Sequence, residues 1–128
     1  MRIVLASHHF PPNRFGGVEL STLKTARWLL EHGHSVEVVA VERATEGAPD
    51  RVEARSDAYQ GVPVVRLTID LFAPETPWAW RYRHPVLEEW FRRYLTEKRP
   101  DIVHIQSCYL LSVGVIHAAR DAGCATVV

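Results

Sequence analysis

Residues 1–19 combine a strand, a glycine pair and the start of a helix. The apolar run over residues 2–7 is typical of a buried strand. A loop with two prolines follows and leads to Gly16 and Gly17, after which a helical pattern begins. Backbone N–H groups at a helix start favour an anion, and glycines allow it to approach closely. The stretch therefore indicates a phosphate-binding loop, with an ordinary glycine turn as the alternative.

Polar side chains follow two of the predicted strands, at the edge where parallel α/β sheets bind their ligands. They are Ser7, His8 and His9 after the first strand, and Gln106, Ser107, Cys108 and Tyr109 after the fourth. In the expected strand order, strands one and four are neighbours, so the two loops should face one cleft. We predict these candidate cleft or acceptor contacts: His8, His9, Glu19, Ser107 and Tyr109. Glu19 has a second interpretation, since a carboxylate also stabilises the positive end of a helix.

Other chemistries that use these residue types are not indicated. Adjacent His8 and His9 on extended backbone point in opposite directions, and no CxxC or HExxH motif is present, so no metal site is predicted. The glycine pair comes well after the first strand and lacks the third glycine of a dinucleotide fingerprint. A Walker Gly-Lys-Ser/Thr motif is also absent. Cys108 has no evident basic partner and is interpreted as structural.

The elements that position these loops follow from the apolar pattern. Five segments rich in Val and Ile predict strands over 2–7, 35–42, 63–69, 101–106 and 125–128, and helical patterns cover 18–32, 85–98 and 110–122. This alternation predicts an α/β fold, a Rossmann-like doubly wound parallel sheet in the order 3-2-1-4-5 with helices on both faces. The polar connection over 43–61 lacks a helical period and is predicted to be a long loop.

Composition narrows the class of protein. The chain has 128 residues, is 47% hydrophobic and has a formal net charge of +0, which gives no electrostatic reason to expect a nucleic-acid partner. No apolar run approaches the roughly 20 residues of a membrane span, and no signal-peptide region is evident. Two cysteines do not make a disulfide framework. We expect a cytoplasmic protein with reduced thiols.

Two motifs resemble glycosyltransferase family 4, the retaining enzymes of GT-B fold. The first is a Pro-Pro…Gly-Gly-x-Glu pattern, formed here by Pro11, Pro12, Gly16, Gly17 and Glu19. The second is the stretch RPDIVHIQS over residues 99–107, which is similar to the RPDVVHxH stretch at the fourth strand of that family. The resemblance extends over nearly the whole chain.

The resemblance implies that residues 1–128 are the N-terminal, acceptor-side domain of such an enzyme, truncated at the C-terminus. A full-length member would transfer a hexosyl group from a nucleotide sugar to an acceptor hydroxyl, with retention of configuration and without a divalent metal. The acceptor could be a saccharide, a lipid-linked molecule or a small molecule. The donor would be held mainly by the missing C-terminal domain, so the 128-residue chain alone should be inactive.

The resemblance also implies roles for particular residues. Gly16 and Gly17 would form the loop facing the donor phosphates. Gln106 replaces the histidine that faces the donor sugar and acceptor in the family. A glutamine donates and accepts hydrogen bonds but cannot carry a proton. Gln106 is therefore a candidate active-site residue for binding the sugar, not for proton transfer, and His104 would point into the sheet.

The chain also contains tryptophans interleaved with arginines. Such a pattern can mark a membrane-surface patch, and some members of the family act on lipid-linked acceptors. We expect Trp90 to belong to the core, whereas the segment around Trp78 and Trp80 leaves a peripheral contact at the inner membrane face open. Two other functions also stay open: another GT-B-like enzyme, such as a nucleotide-sugar epimerase, and a non-enzymatic α/β interaction module.

Overall fold

The computed structural model describes residues 1–128 as one six-stranded sheet with helices on both faces. The strands are β1 (Arg2–Ser7), β2 (Ser35–Arg43), β3 (Glu53–Tyr59), β4 (Val62–Thr68), β5 (Ile102–Ile105) and β6 (Ala125–Val127). The helices are α1 (Gly17–Glu31), α2 (Pro85–Lys98) and α3 (Gly114–Asp121), and a short 3₁₀ helix covers Trp78–Arg81. None of these helices combines the length and apolar character needed to cross a membrane.

The sheet order is β3-β4-β2-β1-β5-β6. The five strands expected from the sequence are all parallel and lie in the predicted order, with β1 between β2 and β5. The predicted Rossmann-like α/β class is therefore confirmed. The sheet has one strand more than expected, β3, which pairs antiparallel with β4 at the edge.

The prediction of a long loop over 43–61 is wrong where β3 forms. Six of its seven residues are exposed, so this edge strand has no buried face to produce an apolar alternation. It is joined to β4 by a two-residue turn at Gln60 and Gly61, which have φ values of 49° and 81°. Positive φ at both central residues is the hairpin geometry that matches the twist of paired strands. Gly61 was the one local signal for this hairpin.

The third helix is shorter than the predicted 110–122. It begins at Gly114, because Leu110 and Ser112 both have a φ of 63°, which an α-helix does not allow. The Ser112 hydroxyl accepts hydrogen bonds from the backbone N–H groups of His84 and Gly114, each at 3.1 Å. The segment after β5 is therefore an ordered loop that holds the start of α2.

The core has a layer on each face of the sheet. Val4 and Ala6 face the layer formed by α2 and α3, whereas Ile3 and Leu5 face α1. Burial on both faces explains why the parallel strands are almost continuously apolar. Trp90 stacks on Tyr94 and is partly buried against the first of these layers, so it lies at the edge of the core and not within it as expected.

Candidate active site

The carboxyl ends of β1 and β5 meet at the point where the strand order reverses. The Gln106 N–H donates to the Ala6 carbonyl at 2.8 Å, which fixes the two loops side by side. Three buried side-chain atoms at this edge have no hydrogen-bond partner: Ser7 Oγ, His8 Nδ1 and Gln106 Nε2. Buried polar atoms are normally paired, so three unpaired ones at a sheet edge indicate places for a polar ligand.

His8 and Glu19 form a pair that the sequence did not reveal. His8 Nε2 lies 3.2 Å from Glu19 Oε1, and Glu19 is only 5% exposed. The carboxylate accepts from Nε2–H, which leaves Nδ1 of a neutral ring as a hydrogen-bond acceptor. Burial lowers the pKa of His8, and the nearby Glu19 charge opposes that effect. The lowered pKa favours the neutral ring, and the contact with Glu19 fixes its orientation.

His9 and Tyr109 border the same edge. The His9 ring contacts the Val41 carbonyl through Nδ1 at 2.9 Å. The His8 ring stands edge-on to the His9 ring at 5.3 Å and to the Tyr109 ring at 5.5 Å between centroids. His9 and Tyr109 also line a polar cavity of about 410 Å³. The structure thus brings the predicted contacts His8, His9 and Tyr109 together, with Tyr109 65% exposed.

Ser107 and Cys108 have more local roles. The Ser107 hydroxyl accepts the Tyr109 backbone N–H at 3.1 Å and so shapes the loop after β5. Burial raises the pKa of the Cys108 thiol, which disfavours a nucleophilic thiolate. Both cysteines are free.

The two glycines of the loop before α1 differ in their surroundings. Gly16 is the N-cap of α1, and a Cβ built there would lie 2.6 Å from Glu19 Oε2. A Cβ on Gly17 would meet no atom within 4 Å. Neither glycine has a positive φ, so neither is needed for a left-handed backbone. Gly16 leaves room for the Glu19 carboxylate, whereas Gly17 borders open space at the helix start.

Arg66 of β4 fixes the loop that leads to these glycines. Its side chain is buried, with 2% of its surface exposed. Arg66 donates to the Pro11 carbonyl at 2.7 Å, to the Phe10 carbonyl at 3.4 Å and to Asp57 Oδ2 at 3.0 Å. Asp57 belongs to β3, the strand that the sequence analysis missed. The sequence signal for this contact was a single arginine in the otherwise apolar strand VPVVRLT, since a buried arginine needs hydrogen-bond acceptors.

The comparison with known protein families decides what kind of domain this is. The family model described as a glycosyl transferase 4-like domain matches residues 16–128. The chain belongs to this family. The matched region begins at Gly16, so it includes both glycines and the edge formed by β5, but neither β1 nor the proline-containing loop that follows it.

Curated relatives of this glycosyltransferase domain include two mycobacterial enzymes described as GDP-mannose-dependent alpha-mannosyltransferases. The protein of Mycolicibacterium smegmatis is 32% identical over 96% of this chain and 30% of its own length. That of Mycobacterium tuberculosis is 33% identical over 99% of this chain and 31% of its own length. The chain thus spans about three tenths of the length of these relatives.

Among solved structures, the domain is similar to one described as trehalose-6-phosphate from E. coli bound with UDP-2-fluoro glucose. The TM-score is 0.53 at 14% identity, and the match covers 97% of this chain and 31% of the other. At this identity the likeness concerns the fold alone, which agrees with the parallel α/β sheet.

The glycosyltransferase domain should lose stability as the pH falls below about 6.5. Burial lowers the pKa of His8 and of His84 from the ordinary value of 6.5. Between the lowered native values and 6.5 the unfolded chain binds more protons, so the free energy of unfolding rises with pH in that window. Urea unfolding at pH 7.5 and pH 5.5 measures the difference.

The variant His84→Asn is the matched control for that measurement. His84 Nδ1 accepts the Leu87 N–H at the start of α2, and asparagine is a good N-cap that can replace this acceptor. The variant keeps the cap but removes one titrating group, so its stability should depend less steeply on pH. Equal pH dependence in both proteins would contradict the role given to His84.

Proposed function

We propose that this chain is the acceptor-side domain of a retaining glycosyltransferase. The enzyme would transfer a sugar from a nucleotide-sugar donor to an acceptor hydroxyl. The observation that carries this proposal is the edge where β1 and β5 meet. Unpaired atoms of Ser7, His8 and Gln106 lie there, as does Gly17 at the open start of α1.

In this proposal the glycine loop faces the donor diphosphate. The first N–H groups of α1 have no partners within the helix, and the helix dipole favours negative charge at that end. Gly16 has no side-chain cap, and Gly17 presents no Cβ that would keep an anion away from these groups. One oxygen of the Glu19 carboxylate lies 3.2 Å from His8 Nε2 and the other lies over Gly16, so the open space is the one beside Gly17.

Gln106 and His8 would bind hydroxyl groups of the sugar and of the acceptor. Gln106 Nε2 is a donor and suits a sugar oxygen, without taking part in proton transfer. His8 Nδ1 is an acceptor as long as Nε2–H is bound to Glu19, and it suits a donating hydroxyl. His9 and Tyr109 border the adjoining polar cavity on the acceptor side.

The proposal is tested with the full-length protein. GDP-mannose is the first donor to try, because the mycobacterial relatives are described as dependent on it. Release of nucleoside diphosphate together with an acceptor-linked sugar of unchanged anomeric configuration, read by NMR, would support it. Residues 1–128 alone should give no transfer. A product of inverted configuration would refute retention, and no transfer with any nucleotide sugar would refute the proposal.

The same assay separates the two other candidate functions. A nucleotide-sugar epimerase would change the sugar while it is still linked to the nucleotide, or release it without an acceptor. A non-enzymatic module would do neither, and substitutions at His9, Gly17 or Gln106 would then change no measured rate. Membership of a glycosyltransferase family favours the transferase over both alternatives.

We further propose that the protein works in the cytoplasm, where nucleotide sugars are made.

Transfer should not depend on a divalent metal. Within residues 1–128, no group of three or more His, Cys, Asp or Glu side chains is arranged to hold a metal ion. In the proposed mechanism the helix start and backbone N–H groups balance the diphosphate charge. We therefore expect the full-length protein to keep its transfer rate after dialysis against EDTA. A loss that added Mg²⁺ or Mn²⁺ restores would contradict this expectation.

A further inference from the structure

A mainly apolar pocket of about 200 Å³ lies beside the cleft. Its walls come from three segments, which follow β4, precede α2 and follow β5. The lining residues are Leu71, Phe72, Trp80, Arg81, His84, Cys108, Tyr109 and Leu110. The Arg81 guanidinium lies 5.7 Å from the centre of the Phe72 ring. Phe72, Trp80 and Tyr109 contribute large aromatic rings, which pack well against other flat rings.

One buried polar group lies in this apolar wall. His84 is 2% exposed, and its Nδ1 accepts the Leu87 N–H at 3.2 Å. The proton of the neutral ring is therefore on Nε2, and this donor is buried without a partner. The Trp80 ring stands edge-on to His84 at 4.9 Å between centroids. An unpaired buried donor costs free energy that a ligand oxygen can restore.

The apolar pocket adjoins the polar cavity of the cleft. Phe72, Tyr109 and Leu110 line both, so a ligand that reaches past these side chains would contact the two. The polar cavity is lined by His9 and by charged side chains of both signs: Arg14, Arg43, Glu42 and Glu46. A volume of about 200 Å³ is smaller than the roughly 300–1,000 Å³ of a whole ligand site, so the apolar pocket suits one part of a larger molecule.

We propose that the acceptor substrate is amphiphilic. Its hydroxyl-bearing head lies in the polar cavity next to His9, and an oxygen-bearing aryl group fills the apolar pocket with its oxygen on His84 Nε2. This inference rests on the proposed function and deepens it by naming the acceptor class. His84 is then a specificity-determining residue, and its ring orientation is fixed by the hydrogen bond to Leu87.

The proposal is tested by measuring, with calorimetry, the affinity of the full-length protein for three glycosides. The probes are methyl, octyl and 4-nitrophenyl α-D-mannopyranoside, which share the same sugar. Differences among them report the apolar group alone. The 4-nitrophenyl glycoside should bind roughly 10- to 100-fold tighter than the methyl glycoside, because its ring is buried. The octyl glycoside has no oxygen in its apolar part and should gain from burial only.

Three variants locate the effect. His84→Asn keeps the helix cap and should weaken 4-nitrophenyl binding roughly 3- to 10-fold while leaving octyl binding unchanged. Phe72→Ala should weaken both apolar probes. Trp78→Ala is the control, because Trp78 lies in the same 3₁₀ helix as Trp80 but is 75% exposed and does not line the pocket. This variant should leave all three affinities unchanged.

The outcomes separate this inference from the proposed function. Equal affinity for the three probes would overturn the inference, as would a preference that survives Phe72→Ala. Equal loss of octyl and 4-nitrophenyl binding in His84→Asn would overturn the role of Nε2. Sugar transfer without any aryl preference would refute the pocket but not the transferase. Aryl binding without transfer from any nucleotide sugar would refute the transferase but not the pocket.

Discussion

Replacing Gly17 with valine in the full-length protein should lower its turnover number roughly 10- to 1,000-fold, the scale of a lost anion-stabilising donor. A Cβ on Gly17 meets no atom within 4 Å, so the protein itself has room for the valine. The side chain would instead occupy the space where we place the donor diphosphate. Steady-state rates with the best nucleotide sugar, and urea unfolding of the same variant, measure both effects.

Gly16→Ala is the informative comparison for that variant. Its Cβ would lie 2.6 Å from Glu19 Oε2, so the carboxylate must move and its contact with His8 must change. Gly17→Val should therefore act without perturbing the protein, whereas Gly16→Ala should also alter the His8 ring, visible in its NMR titration. A wild-type rate in Gly17→Val would contradict the phosphate-facing role and reduce the glycine pair to a turn.

Replacing Arg66 with methionine should lower the free energy of unfolding by about 3 kcal/mol. The variant leaves the Phe10 and Pro11 carbonyls without their donor, and an unsatisfied buried group costs roughly 1–3 kcal/mol. Methionine fills much of the same volume, so the loss should come mainly from the hydrogen bonds. Urea unfolding followed by circular dichroism measures it.

Arg55→Met is the matched control for Arg66→Met. Arg55 lies opposite Arg66 in the β3–β4 pair and also contacts Asp57, but its side chain is 56% exposed. Exposed ion pairs contribute little to stability, so the urea midpoint should hardly move. An equal loss of unfolding free energy in the two variants would mean that Arg66 does not act through the loop carbonyls.

Because Arg66 holds the loop before α1, the transfer rate of Arg66→Met should also fall.

The amino-acid sequence by itself determined the parallel strands, their order in the sheet and the start of α2, because the signals for these features are local. Continuous Val- and Ile-rich runs predicted the five parallel strands, and Pro85 predicted the start of α2, which runs over Pro85–Lys98 as expected. The strand order placed the ends of β1 and β5 side by side, and with them His8, His9 and Tyr109. Each of these inferences needs only periodicity, breaker residues and the rules of parallel sheets.

Only the tertiary structure decided which side chains contact one another within this arrangement of strands and helices. The edge strand β3 has no apolar face, and it forms because it pairs with β4 and places Asp57 beside Arg66. The His8–Glu19 pair and the difference between Gly16 and Gly17 depend on how the loop before α1 folds back on β1. Periodicity reports whether a residue is buried, but a hydrogen bond between distant residues depends on distances that only the folded chain sets.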